Sequence, residues 1–152
     1  MKFRPANEED LAELSGWFLT ESEARNWGGP PIHFPLSLEQ LKIDIEWDVA
    51  DSYALIDKDG NLLGFAQAFN KFGYKHLGRV VISPEMRGRK LGYKLMAALF
   101  NVAGTDGVSF SLFVYENNIP AKSLYESIGF VVQAYPEGIA QIEGCIFMVR
   151  ET

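Results

Sequence analysis

Apolar positions along the chain switch between a period of two and a period of three to four, and each switch marks an element. Lys2 to Pro5 has a short strand pattern, which Pro5 confines to an edge or an end. Asn7 is a good helix cap, Glu8, Glu9 and Asp10 crowd the first turn, and Leu11, Leu14, Phe18 and Leu19 form one apolar stripe. That helix fades near Glu21 to Glu23. From Arg25 to Pro35, two glycines and three prolines predict an irregular stretch, although Trp27, His33 and Phe34 are costly to leave in water. Ser37, with Gln40 three residues on, opens a second helix whose face carries Leu38, Leu41, Ile45 and Trp47. Strands over 52–56 and 62–69 flank an Asp-Gly turn at Asp59 and Gly60 and read as a hairpin. A second turn over 70–73 leads into a strand over 74–82.

The second half is built from crossovers. A helix over 91–103 carries Leu91, Leu95, Met96, Leu99 and Val102 on one face, and Gly104 to Gly107 break it. Val108 to Tyr115 form a central strand. Pro120 starts a helix that Gly129 ends, and strands over 130–133 and 145–149 close the chain. The predicted order is β-α-α-β-β-β-α-β-α-β-β, an α/β fold on a mixed (α+β) sheet, in one domain over residues 1–152.

The chemistry concentrates where the Val80-Val81-Ile82 strand meets the helix at 91. Pro84 ends the strand. The helix start leaves backbone N–H groups without partners at its positive end. Gly88 and Gly92 let an anion approach the backbone, and Arg87, Arg89 and Lys90 add full charges. This arrangement predicts a phosphate site, most naturally for a pyrophosphate. Alone it reads more readily as a solvated basic turn before an ordinary helix. It is neither G-x-x-x-x-G-K-[ST] nor G-x-G-x-x-G.

Composition narrows the classes. The 152 residues are 47% hydrophobic and 22% charged, the balance of one globular core. No apolar run approaches the ~20 residues of a membrane span. The first ten residues are too polar for a signal peptide, so a soluble cytoplasmic protein without a membrane partner is expected. The formal charge of −6 argues against a nucleic-acid surface and favours cationic partners. The single cysteine, Cys145, and two distant histidines, His33 and His76, do not suggest a metal site.

Arg87-Gly88-Arg89-Lys90-Leu91-Gly92 after a Val-Val-Ile strand resembles the acetyl-CoA loop of the GCN5-related N-acetyltransferases (GNAT), whose pattern is Gln/Arg-x-x-Gly-x-Gly/Ala. Lys90 stands where that family has its middle glycine, and a right-handed helical backbone there would accept lysine. Asn118, Ala121, Leu124, Tyr125, Gly129 and Phe130 are similar to the family's second segment, at the family's spacing. The resemblance implies the GNAT fold and direct acetyl transfer from acetyl-CoA to an amine, with no metal. It places the pyrophosphate on residues 87–92 with Tyr93 adjoining, the pantetheine arm along Val80, Val81 and Ile82, and the thioester in a gap opening towards Tyr115. An N–H near Ile82 would stabilise the oxyanion, Asn118 would hydrogen-bond the donor, and Tyr125 would protonate the departing thiolate.

The general base is the open position. Gly78 stands where many members have a strand glutamate, which leaves His76, His33, Glu21, Glu23 or a water relay. His76 has the better strand position and an ordinary pKa of about 6.5. Trp27, His33 and Phe34, with Trp47, are candidates for an aromatic acceptor pocket that suits a cation. The acceptor itself stays open among small amines, amino acids, antibiotics and peptide N-termini, and a homodimer through the last strands is an option. The alternative to an enzyme is a non-catalytic acyl-CoA-binding regulatory module, which the missing glutamate favours. A phosphate-binding domain of another kind is a third reading.

Overall fold

A computed structural model describes residues 1–104 and 107–151. Seven strands form one sheet: β1 (Lys2–Pro5), β2 (Asp51–Ile56), β3 (Leu62–Lys71), β4 (Tyr74–Ile82), β5 (Phe110–Tyr115), β6 (Val131–Gln133) and β7 (Cys145–Arg150). Their spatial order is β1-β2-β3-β4-β5-β7-β6. Every neighbouring pair is antiparallel except β4 and β5, which run parallel because helix α4 (Leu91–Ala103) carries the chain back across the sheet between them.

Helices cover both faces. Leu91, Leu95, Met96 and Leu99 of α4 pack with Leu55, Leu77, Leu112 and Met148 on one face. Leu11 and Leu14 of α1 (Glu8–Leu14), Ala24 of α2 (Glu21–Gly28) and Leu41 of α3 (Leu38–Asp44) pack with Ala54, Ile56, Phe65 and Val81 on the other. Adjacent residues Ala54 and Leu55 therefore serve opposite cores, as the two-residue period requires. β3 lies between them and is buried from Leu62 to Phe69. It reads as an unbroken apolar run for that reason.

Three sequence expectations change. The first helix stops at Leu14, and Leu19 is 81% exposed rather than part of its stripe. The side chain of Thr20 accepts from the Glu23 N–H at 3.1 Å and opens α2, so the stretch expected to be irregular begins with a helix that carries Trp27. Gly29, at φ 90, ends that helix, and Gly28 before it makes room for Ile32, since a Cβ there would lie 2.3 Å from Ile32 Cγ1. Val102 is 47% exposed and lies outside the buried face of α4. The last helix, α5, spans Ile119–Ser127. Residues 105 and 106, inside the turn expected over 104–107, lie outside the described residues.

Candidate active site

The site begins where two parallel strands part. β4 and β5 pair only at Lys75↔Phe110, His76↔Ser111 and Leu77↔Leu112, although both strands continue. The cause lies in β4. Gly78 faces Gln67 and Val81 faces Phe65, so Arg79 and Val80 together oppose a single β3 residue. Such a bulge bends and twists its strand. Arg79 takes φ 49, a left-handed conformation that non-glycine residues seldom adopt.

Hydrogen bonds hold the bulge. Arg79 Nε donates to the Gly28 carbonyl at 3.1 Å, Nη2 to the Asp44 carbonyl at 3.2 Å, and Nη1 to Gln67 Oε1 at 3.0 Å and the Ile45 carbonyl at 3.4 Å. The Arg79 carbonyl accepts from Trp27 Nε1 at 2.8 Å. One residue thus ties α2, the end of α3 and β3 to the bulge. Sequence reading missed it, because an arginine in a strand carries no mark of which face it takes.

The opening holds two cavities that meet at Trp27, Gly78, Arg79 and Phe113. The first, of about 380 Å³, is lined by Val80, Val81, Ile82, Arg87, Gly92, Asn118 and Tyr125 among others. Beyond Leu77, the β4 edge has no β5 partner and is open to an extended ligand arm. At its far end α4 starts without a side-chain cap, whereas Asn7, Thr20 and Ser37 cap α1, α2 and α3. The α4 N–H groups are therefore left without a side-chain acceptor, as an anion site needs. Gly92 brings α4 close to α5, since a Cβ there would sit 2.9 Å from Leu124 Cδ2.

Lys90 differs from expectation. It takes φ 60 and ψ 23, left-handed rather than right-handed, and the glycine usual at that family position suits this conformation. Gly88, Arg89 and Lys90 are exposed on the loop outside the cavity, Arg87 Nε donates to the Ile82 carbonyl at 3.4 Å, and Leu91 is a core residue. Tyr93 lies half-exposed on the outer side of α4, its hydroxyl accepting from Ser127 Oγ at 3.1 Å.

Asn118 is the N-cap residue of α5, yet its side chain makes no capping bond. Its amide is left to the cavity it lines. Tyr125 is 6% exposed, and its hydroxyl has no hydrogen bond among the described residues. It is not one of the sealed, unpartnered polar atoms either, so it opens onto the cavity. Burial pushes the Tyr125 pKa well above that of a free phenol, so the hydroxyl keeps its proton.

The second cavity, of about 220 Å³, is walled by Phe69, Phe72, His76, Phe113 and Tyr115, with Glu46 and Lys71 at 3.1 Å from one another. His76 Nδ1 meets Ser111 Oγ at 2.8 Å. Burial, with the charges of Lys71 and Arg79, pushes the His76 pKa down to about 3. That direction runs against the expected base role, since a weakly basic imidazole is a poor acceptor for an ammonium proton, and at neutral pH His76 is a neutral ring on the cavity wall. Of the residues expected to form the acceptor pocket, only Trp27 lines either cavity. Phe34 packs on the α1–α3 core. His33 turns outward, its Nδ1 2.9 Å from Asp44 Oδ1 and its side chain 68% exposed. Among the candidate bases, Glu21 pairs with Arg25 on the surface, and Glu23 is the carboxylate that lines the larger cavity.

Comparison with known proteins agrees with this architecture. A spermidine N-acetyltransferase from Vibrio cholerae, solved with CoA and spermine, superposes with a TM-score of 0.74 at 20% identity over 99% of this chain and 94% of that one. A GNAT superfamily phosphinothricin acetyltransferase (Pat) from Sinorhizobium meliloti, solved with AcCoA, superposes with a TM-score of 0.72 at 18% identity, covering 99% and 87%. At these identities the likeness is one of fold. The N-terminal acetyltransferase B complex catalytic subunit NAA20 of Arabidopsis thaliana is 29% identical over 75 residues, which span 48% of this chain and 43% of that protein. The family model of the acetyltransferase (GNAT) family matches residues 14–130, which hold the bulged strand, the uncapped helix and Tyr125, and the chain belongs to that family.

Proposed function

We propose that the protein transfers the acetyl group of acetyl-CoA directly to an amine. The observation that carries this reading is the parting of β4 from β5 at Leu77 and Leu112, which joins two cavities of opposite character. The larger one runs from the open β4 edge to the uncapped start of α4 and suits a pantetheine arm ending in a pyrophosphate. The smaller, aromatic one suits the acceptor. The structures solved with CoA and AcCoA support acetyl-CoA as donor.

In this reading the thioester lies at the strand gap. The neutral amine attacks the carbonyl carbon, the C–N bond forms, and the C–S bond breaks. Unpaired N–H groups of β4 stabilise the oxyanion. The amine's surplus proton leaves through water, with Glu23 as a carboxylate lining the larger cavity. Tyr125 donates a hydrogen bond to the departing sulfur, which leaves as a thiolate and is protonated to CoA. Because burial raises the Tyr125 pKa, the hydroxyl keeps its proton and is present as a donor at neutral pH.

The test is a thermal-shift titration with acetyl-CoA, followed by release of free thiol across a panel of primary amines. The reading expects stabilisation by acetyl-CoA and turnover with at least one amine. No stabilisation at millimolar acetyl-CoA sinks it. The glycine at position 78 favours a second reading, a non-catalytic acyl-CoA-binding module. Stabilisation without thiol release on any amine selects that one.

A further inference from the structure

The acceptor cavity carries a strained residue whose ring the fold has no need to place there. Lys71 pairs with Tyr74, so β3 and β4 are joined by the two-residue turn Phe72-Gly73. Both residues have positive φ, 61 and 79. Such a turn favours Asn-Gly, and a bulky aromatic at its first position is a genuine outlier. Strain that persists in a fold points to a function at that position. Here the left-handed turn sets the Phe72 ring edge-on against His76 at 5.1 Å, Phe113 at 6.0 Å and Phe147 at 6.1 Å. Phe72, His76 and Phe113 are three sides of the 220 Å³ cavity.

Charge adds a second constraint. The chain has a formal charge of −6, yet the charged residues lining this cavity are two cations, Lys71 and Arg79, and one carboxylate, Glu46. Lys71 already occupies Glu46 at 3.1 Å, and Arg79 is spent on backbone carbonyls and Gln67. A polyamine brought into this cavity would place ammonium groups beyond the reacting one beside Lys71 and Arg79, and among the described residues its one lining carboxylate, Glu46, is already paired. An apolar body would meet aromatic faces and edges.

Resting on the acetyl-transfer reading above, we infer that the acceptor is a monoamine borne on an apolar group of about aromatic-ring size, and that Phe72 is a specificity-determining residue for it. The amine points to the strand gap at Gly78, and the apolar body lies against Phe72, His76 and Phe113. Phe72 is held in its strained turn because a turn-favouring asparagine would leave that side of the cavity open.

Acetyl-CoA binding and thiol release with 2-phenylethylamine and with spermidine, on the wild-type chain and on Phe72→Asn, test this. Asparagine suits the turn, which offsets the lost ring contacts, so the variant should remain folded and bind acetyl-CoA unchanged. A purely structural role for Phe72 would end there. The inference expects 2-phenylethylamine to exceed spermidine in kcat/KM, and Phe72→Asn to raise KM for 2-phenylethylamine about tenfold with kcat largely kept. Preference for spermidine, turnover of neither amine, or an unchanged KM in Phe72→Asn overturns it while acetyl-CoA binding stands. Loss of acetyl-CoA binding in the wild-type chain overturns the acetyl-transfer reading and this inference with it.

Discussion

Replacing Arg79 by methionine keeps most of the apolar stem and removes the guanidinium that holds the bulge. The three acceptors that lose it most directly are the Gly28 and Asp44 carbonyls and Gln67 Oε1, because the Ile45 carbonyl still accepts from Gln67 Nε2 at 3.0 Å. Hydrogen bonds from a charged donor are worth about 1.5–3 kcal/mol each. The sum overstates the loss, since removing the guanidinium also removes several kcal/mol of desolvation cost. A net destabilisation of about 3 kcal/mol is expected, at the lower end for breaking a buried charged network. For a chain of 152 residues that lowers Tm by roughly 6–12 °C. Thermal unfolding followed by circular dichroism reads this directly, and acetyl transfer should fall as β4 straightens towards β5. A pair of controls separates the guanidinium from the backbone. At φ 49, Arg79→Gly should be more stable than Arg79→Ala by about 0.5–1 kcal/mol, the left-handed penalty less the extra chain entropy of glycine. A Tm within about 3 °C of wild type for Arg79→Met, or glycine less stable than alanine, would refute the reasoning.

Three further outcomes follow from the same geometry. His76 has a folded pKa of about 3, below its unfolded value. The unfolded chain therefore binds the extra proton, and stability falls as pH drops from about 6.5, by about 2 kcal/mol at pH 5. Urea unfolding from pH 7 to 4 should show that slope in the wild type and a flatter one in His76→Gln; equal slopes would contradict the burial argument. Tyr125→Phe should leave acetyl-CoA binding intact and reduce kcat about 100-fold. Calorimetry and stopped-flow thiol detection check this, and unchanged turnover would remove Tyr125 from the reaction. Lys90→Gly relieves a left-handed residue at φ 60 and should raise Tm by about 2 °C, so a lower Tm in a thermal scan would count against the strain argument.

Period and punctuation along the sequence predicted all seven strands to within a few residues, along with α4 and α5. Those signals are local. A β-branched run, a proline that stops a ladder and a glycine that ends a helix act on their own backbone whatever surrounds them. Local signals failed at α2, where glycines and prolines further on obscured the Thr20 cap. They failed again at Lys90, because a residue name does not state its φ.

The sequence by itself determined the family and most of the strands and helices, since each rests on patterns of short range. Only the tertiary structure decided which side chains line the two cavities. Arg79 matters because four acceptors from α2, α3 and β3 converge on it from distant parts of the chain. His33 left the site because Asp44, eleven residues on, holds its ring outward. His76 is a neutral imidazole because Phe69, Phe72, Phe113 and Phe147 bury it. Burial and the partners that meet by folding set a side chain's charge and direction, and neither is written in its neighbours along the chain.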